Sequence, residues 1–176
     1  TALYGKFAMP AALFFPDSPW VTPDYMTWPG KNPATKAADI AEGKRLMAEA
    51  GFADGFEVSL TCRSGSWESE CEWIVEELRS KLNINMTIDI VDNSTRGDRQ
   101  CEGTYEAILN GGSSNAKFPE SVHAQVGPFS DVPCSGNFYN NDPHVTELTD
   151  AILQAKSFEE RVAAAREVEQ YVILEK

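Results

Sequence analysis

Between Phe56 and Ile90 the apolar residues alternate, then fall into a helical period, then alternate again, and this switch constrains the fold more than any other feature of the chain. Phe56, Val58, Leu60 and Cys62 interleave with Glu57, Ser59 and Thr61, the pattern of a strand with one buried face. Ser66 then stands where an N-cap is wanted, ahead of a helical stripe of Trp67, Cys71, Ile74, Leu78 and Leu82. Ile84, Met86, Ile88 and Ile90 alternate with polar residues as a second strand. A strand, a helix and a strand in this order make a βαβ unit, whose strands are parallel and whose crossover is right-handed. The expected fold class is therefore α/β, with a small, mainly parallel sheet flanked by helices.

Residues 10–33 hold six of the ten prolines together with Trp20, Tyr25 and Trp28. Proline fixes φ and removes a donor, so this stretch is neither helix nor central strand, and its aromatics argue against a free linker. We read residues 1–35 as an extended arm packed on a lobe formed by 36–176. The lobe opens with a helix striped by Ala37, Ile40, Met47 and Ala50, with Gly43 permitting close packing. Gly51 suits a left-handed terminating residue, and Phe52 is placed to fold back onto Met47. Residues 92–104 are polar enough for a short helix, and Tyr105–Leu109 reads as a third strand. A weak helix over 119–126 and a long loop to Pro143 follow. Asp142-Pro143 opens a helix carrying Val145, Leu148, Ile152 and Ala155 on one face. Ser157 and Glu160 form a capping box for the last helix, striped by Val162, Ala165, Val168 and Val172.

Charge removes one class of partner. The chain of 176 residues carries 27 acidic and 15 basic side chains, a net −12, which repels phosphate backbones and excludes nucleic acid as a partner. No apolar run approaches a membrane span, and the apolar start lacks the basic region of a signal peptide. Beginning at Thr1, the chain reads as part of something longer. Cys62, Cys71, Cys101 and Cys134 form no CxxC. Their even number fits two disulfides in an oxidising compartment, and the competing reading makes Cys62 and Cys71 buried free thiols.

No catalytic apparatus stands out. G-x-S-x-G is absent, and His123 and His144, the only histidines, read as surface residues. HExxH is absent, and Asp89, Asp92 and Asp98 lack the spacing of a calcium loop. The turn Arg63-Ser64-Gly65-Ser66 is not a dinucleotide fingerprint. We assign no catalytic residue, metal ligand or cofactor. What remains is a binding inventory, since ligands of open α/β sheets sit beyond the C-terminal ends of the strands. Parallel strands would bring two loops to that edge: Arg63, Ser64, Ser66 and Trp67 after the first strand, and Asn110, Gly111, Gly112, Ser113, Ser114 and Asn115 after the third. They offer a guanidinium, hydroxyls, amides near a helix start and an indole, which suits a polar or anionic ligand. The competing reading makes Arg63 a surface charge and Trp67 a core residue.

Ala37–Val58, A-A-D-I-A-E-G-K-R-L-M-A-E-A-G-F-A-D-G-F-E-V, resembles the A-x-x-L-L-x-E-A-G-(Y/F)-x-D-G-F-x-(L/V) signature of family 5 extracytoplasmic solute-binding proteins. Leu78 to Met86 is similar to the family's helix-to-strand step, with Asn83 in place of its usual glycine. Asp142–Leu148 is similar to N-P-E-V-D-x-L, with Thr146 in place of the aspartate, and the closing helix from Glu159 to Tyr171 and the early Gly5 to Pro10 also match family stretches. The resemblance implies a periplasmic-binding-protein-like C-terminal lobe of an exported, periplasmic or extracytoplasmic protein. Its partners would be the N-terminal lobe of the same protein, a small-molecule or peptide ligand, and ABC permease subunits. It also implies that Arg63 stands where some relatives meet a ligand carboxylate. Peptide binders often place a Trp and an Asp in the loop after the third strand; Asn110–Asn115 holds neither, which counts against a free peptide ammonium. A small α/β hydrolase and a sensor or interaction lobe that keeps the fold are the alternatives.

Overall fold

In the computed structural model, which describes residues 13–109, 118–121 and 142–175, the βαβ unit consists of β1 (Phe56–Arg63), α2 (Glu68–Leu82) and β2 (Ile84–Val91). The helix α1 (Lys36–Glu49) precedes it. β1 and β2 are parallel, in register from Phe56 opposite Ile84 to Arg63 opposite Val91. β3 (Ala107–Ile108) lies on the other side of β1, also parallel, giving the order β2-β1-β3. The third strand is shorter than the apolar segment Tyr105–Leu109, because only Leu60 and Thr61 of β1 pair with it. The Leu109 N–H extends the contact by donating to the Thr61 carbonyl (3.0 Å).

The joints of this unit explain its sequence. Asn83 closes α2 with φ 56°, a left-handed conformation that asparagine tolerates better than most side chains. Its Nδ2 donates to the Asp54 carbonyl. Gly55, at φ +83°, packs so closely there that a Cβ would sit 1.9 Å from the Asn83 carbonyl oxygen. One joint therefore requires glycine, and the other accepts asparagine. At the end of α1 the Phe52 N–H donates to the Met47 carbonyl (2.8 Å) and Gly51 takes φ +89°, a Schellman closure. The Phe52 side chain, expected on Met47, stacks instead on Phe56, with ring centroids 5.2 Å apart. Gly43 does permit close packing, since a Cβ there would lie 3.4 Å from Leu82 Cδ2. The α1 stripe is shallow, however, and none of its residues is fully buried.

The polar segment after β2 forms α3 (Asn93–Glu102), capped by the Asp92 carboxylate, which accepts the N–H groups of Ser94 and Thr95. Arg99 of α3 reaches Asp89 on β2 and the Thr61 hydroxyl on β1 (3.2 Å), so the polar side of the strands is tied to α3. Cys62 and Cys71 are joined in a disulfide, which overturns their reading as free thiols. Cys101 is also disulfide-bonded. Cys134 and His123 lie outside the described residues, as do most of the weak helix expected over 119–126 and the loop after it.

The chain divides into two compact units, one spanning residues 29–111 and the other 3–28 with 112–176. In the second, α4 (Pro143–Gln154) is capped by Asp142 and α5 (Phe158–Gln170) by Ser157, at the expected caps. A wide turn over Tyr171–Glu175 follows. Val145, Leu148, Ile152, Ala165, Val168 and Val172 pack with Phe14, Trp20, Val21, Tyr25 and Trp28 of the proline-rich segment. In the middle of this apolar cluster sits Glu169, fully buried. Its carboxylate accepts the backbone N–H groups of Leu13 (3.0 Å), Phe14 (3.1 Å) and Thr22 (2.7 Å). Arg166, one turn earlier, donates to the carbonyls of Pro19 (2.9 Å) and Val21 (3.1 Å). A segment rich in proline satisfies only part of its own backbone through turns, and α5 supplies further partners.

Candidate functional site

The C-terminal end of β1 carries four of the ten residues singled out from the sequence: Arg63, Ser64, Ser66 and Trp67. Arg63 is the last strand residue, directly after buried Cys62. The chain turns through exposed Ser64, Gly65 and Ser66, with the Ser64 N–H donating to the Val91 carbonyl (2.8 Å) and Gly65 at φ +93°. Ser66 does not cap α2 as expected. Trp67 occupies the N-cap position, without a side-chain hydrogen bond to the helix. The turn explains the displacement: the Gly65 N–H donates to the Glu68 carboxylate (2.7 Å) and the Glu68 N–H returns to the Gly65 carbonyl (3.3 Å), so the first helical residue is Glu68.

Trp67 answers both descriptions offered by the sequence. Its half-buried indole packs against the cluster of Leu60, Cys62 and Cys71. The Arg63 guanidinium carbon stands 4.1 Å from the centroid of the same ring. A guanidinium over an indole face is held by the ring quadrupole while its edge N–H groups stay available. That availability sets Arg63 apart. Each of the other six arginines has an oxygen acceptor: Arg45 on Glu42 and Glu49, Arg79 on Glu76, Arg96 on Gln100, Arg99 on Asp89, Arg161 on Glu120 and Arg166 on backbone carbonyls. Among the described residues Arg63 has none; its partner is the indole alone.

The arrangement suits recognition of an anion. Five N–H donors in a fixed plane match a carboxylate in two parallel hydrogen bonds. Packing on Trp67 restricts the side chain beforehand, which reduces the ordering cost on binding. The hydroxyls of Ser64 and Ser66 lie in the same turn and add donors from the start of α2. β3 carries the chain toward the same edge, since it runs parallel to β1 and Leu109 lies beside Thr61. Asn110, Gly111, Gly112, Ser113, Ser114 and Asn115 lie outside the described residues. Among the described residues no cluster of three or more His, Cys, Asp and Glu could hold a metal ion. His144 is exposed in the first turn of α4, 3.3 Å from Glu147 and edge-on to Tyr171. No described helix is long and apolar enough to cross a membrane.

The sequence reading missed the stacking of Arg63 on Trp67; it expected disulfides, and the Cys62–Cys71 bridge bears that out, but it did not say which cysteines pair. The spacing R-x-G-x-W across a tight turn was the available signal for the stacking.

Comparison with known proteins bears on the family and the fold. The model of the family described as bacterial extracellular solute-binding proteins, family 5 middle, matches residues 1–127. No curated protein matches the chain in sequence. Among solved structures, the clavulanic acid biosynthesis oligopeptide binding protein 2 aligns over 94% of this chain and 31% of its own, at 22% identity and a TM-score of 0.73. OppA of Burkholderia pseudomallei aligns over 92% of this chain and 31% of its own, at 18% identity and a TM-score of 0.72. AgaA of A. tumefaciens R10, in complex with agropinic acid, aligns over 76% of this chain and 28% of its own, at 24% identity and a TM-score of 0.63. At these identities the likeness shows the fold, and the chain spans less than a third of the length of each.

Proposed function

The chain belongs to family 5 of the bacterial extracellular solute-binding proteins, and from that premise we propose that it is one lobe of the substrate-binding component of an ABC importer. In this reading it works outside the cytoplasmic membrane, closes with an N-terminal lobe over a small polar or oligopeptide-like solute, and hands the solute to permease subunits. The Cys62–Cys71 disulfide fits an oxidising compartment.

One observation carries the reading: a guanidinium with no oxygen acceptor among the described residues, held over an indole at the C-terminal edge of a parallel sheet. In a chain of net charge −12, this half-buried arginine keeps its N–H donors free of any described carboxylate. A solute carboxylate meets them by two parallel charge-assisted hydrogen bonds. The segment Asn110–Asn115 contains no acidic residue to pair with an ammonium. The proposed solute is therefore identified by its carboxylate first. The neighbours include an oligopeptide-binding protein and one in complex with agropinic acid, which keeps non-peptide carboxylates in view.

Binding needs no chemistry on the solute. Contacts from two lobes favour the closed arrangement over the open one, and hinge closure follows from that difference. One lobe alone supplies only part of the contacts, so calorimetry on the 176-residue chain should give weak binding or none. The decisive test is a thermal-shift screen of the two-lobed receptor against carboxylate solutes, including peptides, opines and their carboxamide forms. A carboxylate solute should raise Tm, and neither its carboxamide nor the Arg63→Ala receptor should show the shift. A hit that binds Arg63→Ala as well as the unaltered receptor contradicts the proposal.

A further inference from the structure

We propose that the Cys62–Cys71 disulfide is the positioning element of the Arg63–Trp67 pair, a covalent staple that holds the ligand-facing turn in its binding geometry. This rests on the reading of Arg63 as a solute contact. The bridge closes over the eight residues between its two cysteines, nine apart in sequence, and those residues include every described member of the candidate site. Cys62 immediately precedes Arg63. Cys71 N–H donates to the Trp67 carbonyl (3.0 Å), the first hydrogen bond of α2. The bridge thus fixes the strand residue next to the guanidinium and the helix residue bonded to the indole's own backbone.

Nothing else in the turn does this as firmly. Trp67 gives α2 no side-chain cap, and an uncapped first turn frays. The remaining supports are the hydrogen bonds of Ser64 to Val91 and between Gly65 and Glu68, the latter exposed and in competition with water. Both sulfur-bearing residues are fully buried, in the same small cluster that receives the Trp67 ring. A buried bridge is shielded from thiols in solution, so it acts as a fixed part of the site.

The test is NMR of the ¹⁵N-labelled chain, reading the Arg63 Nε–H resonance. Stacking over the indole should shift it upfield by ring current, a signature that Trp67→Leu abolishes. In the Cys62→Ala/Cys71→Ala variant, with its far-UV circular dichroism retained, the proposal expects the upfield shift to be lost and the response of this resonance to added sodium acetate to fall severalfold. An unchanged shift in that folded variant overturns the proposal. Should the double variant lose its circular dichroism, Glu68→Ala decides. With the bridge intact the shift should survive loss of the Glu68 carboxylate, and its disappearance would show that the hydrogen bonds, not the sulfurs, place the pair. Acetate reads the other question separately: an Arg63 resonance that acetate never moves in the two-lobed receptor contradicts carboxylate binding while leaving the staple result intact.

Discussion

The two compact units solve the same problem with opposite means. The unit of residues 29–111 is contiguous in sequence, and among the described residues its buried hydrophobic cluster is Leu60, Cys62 and Cys71. It relies on backbone joints and a covalent bridge: Gly55 under the Asn83 carbonyl, the Schellman closure at Gly51, Arg99 across the polar side of the strands, and the disulfide. The other unit brings together segments more than a hundred residues apart and buries five aromatic and aliphatic side chains of the proline-rich stretch against α4 and α5. It depends on bulk apolar burial and on one buried carboxylate. The difference teaches where precision is kept. The unit with the smaller core holds the described residues of the candidate site, and its local constraints fix the few residues proposed to meet a solute.

Substitutions can break this contrast, beginning with the most severe. Glu169→Ala removes the acceptor of three backbone N–H groups in the buried arm. Leaving such donors unsatisfied should cost about 3–5 kcal/mol. Limited proteolysis should then cut within residues 13–28 while residues 29–111 keep their resistance; equal loss in both units would dissolve the distinction. Gly55→Ala attacks the other unit. A Cβ 1.9 Å from a carbonyl oxygen, on a backbone at φ +83°, should cost about 3 kcal/mol or more. Hydrogen exchange should rise across β1 and β2 and leave α4 and α5 protected. Cys62→Ala/Cys71→Ala opens a short loop and should cost roughly 2–3 kcal/mol by chain entropy, seen as a lower midpoint in urea for the β1–α2 region.

The mildest test is by pH. The Thr95 hydroxyl, with the Thr95 and Ser94 amides behind it, holds the Asp92 carboxyl below its ordinary value. Because the folded value is the lower one, the stabilisation of α3 is complete above the ordinary aspartate pKa of about 3.9 and is lost as pH falls through the folded value. A ¹³C titration should show Asp92 protonating below that point, with the α3 amides moving in step. An Asp92 midpoint at the ordinary value would remove the cap from the account.

Much of the fold was legible because its signals are local. The alternation from Phe56 to Cys62 and from Ile84 to Ile90 is the alternation of β1 and β2, and Asp142 and Ser157 cap the helices they precede. Ser66 misled because the Gly65 turn advances the helix start, a matter of φ and not of residue type. Glu169 was illegible for a deeper reason. A glutamate in a helix reads as surface, and only the arm, some 150 residues away in sequence, shows what it binds. The same limit applied to the site. Strand ends drew attention to Arg63 and Trp67, but stacking and the lack of an acceptor are properties of coordinates.

That guanidinium, without an oxygen acceptor among the described residues, is the centre of the account, and mass spectrometry of small molecules that co-purify with the two-lobed receptor tests it most directly. The unaltered receptor should release a carboxylate-bearing solute on denaturation, and the Arg63→Ala receptor, folded by circular dichroism, should release little or none. The same solute recovered in equal yield from both, or a solute without an anionic group, would contradict it.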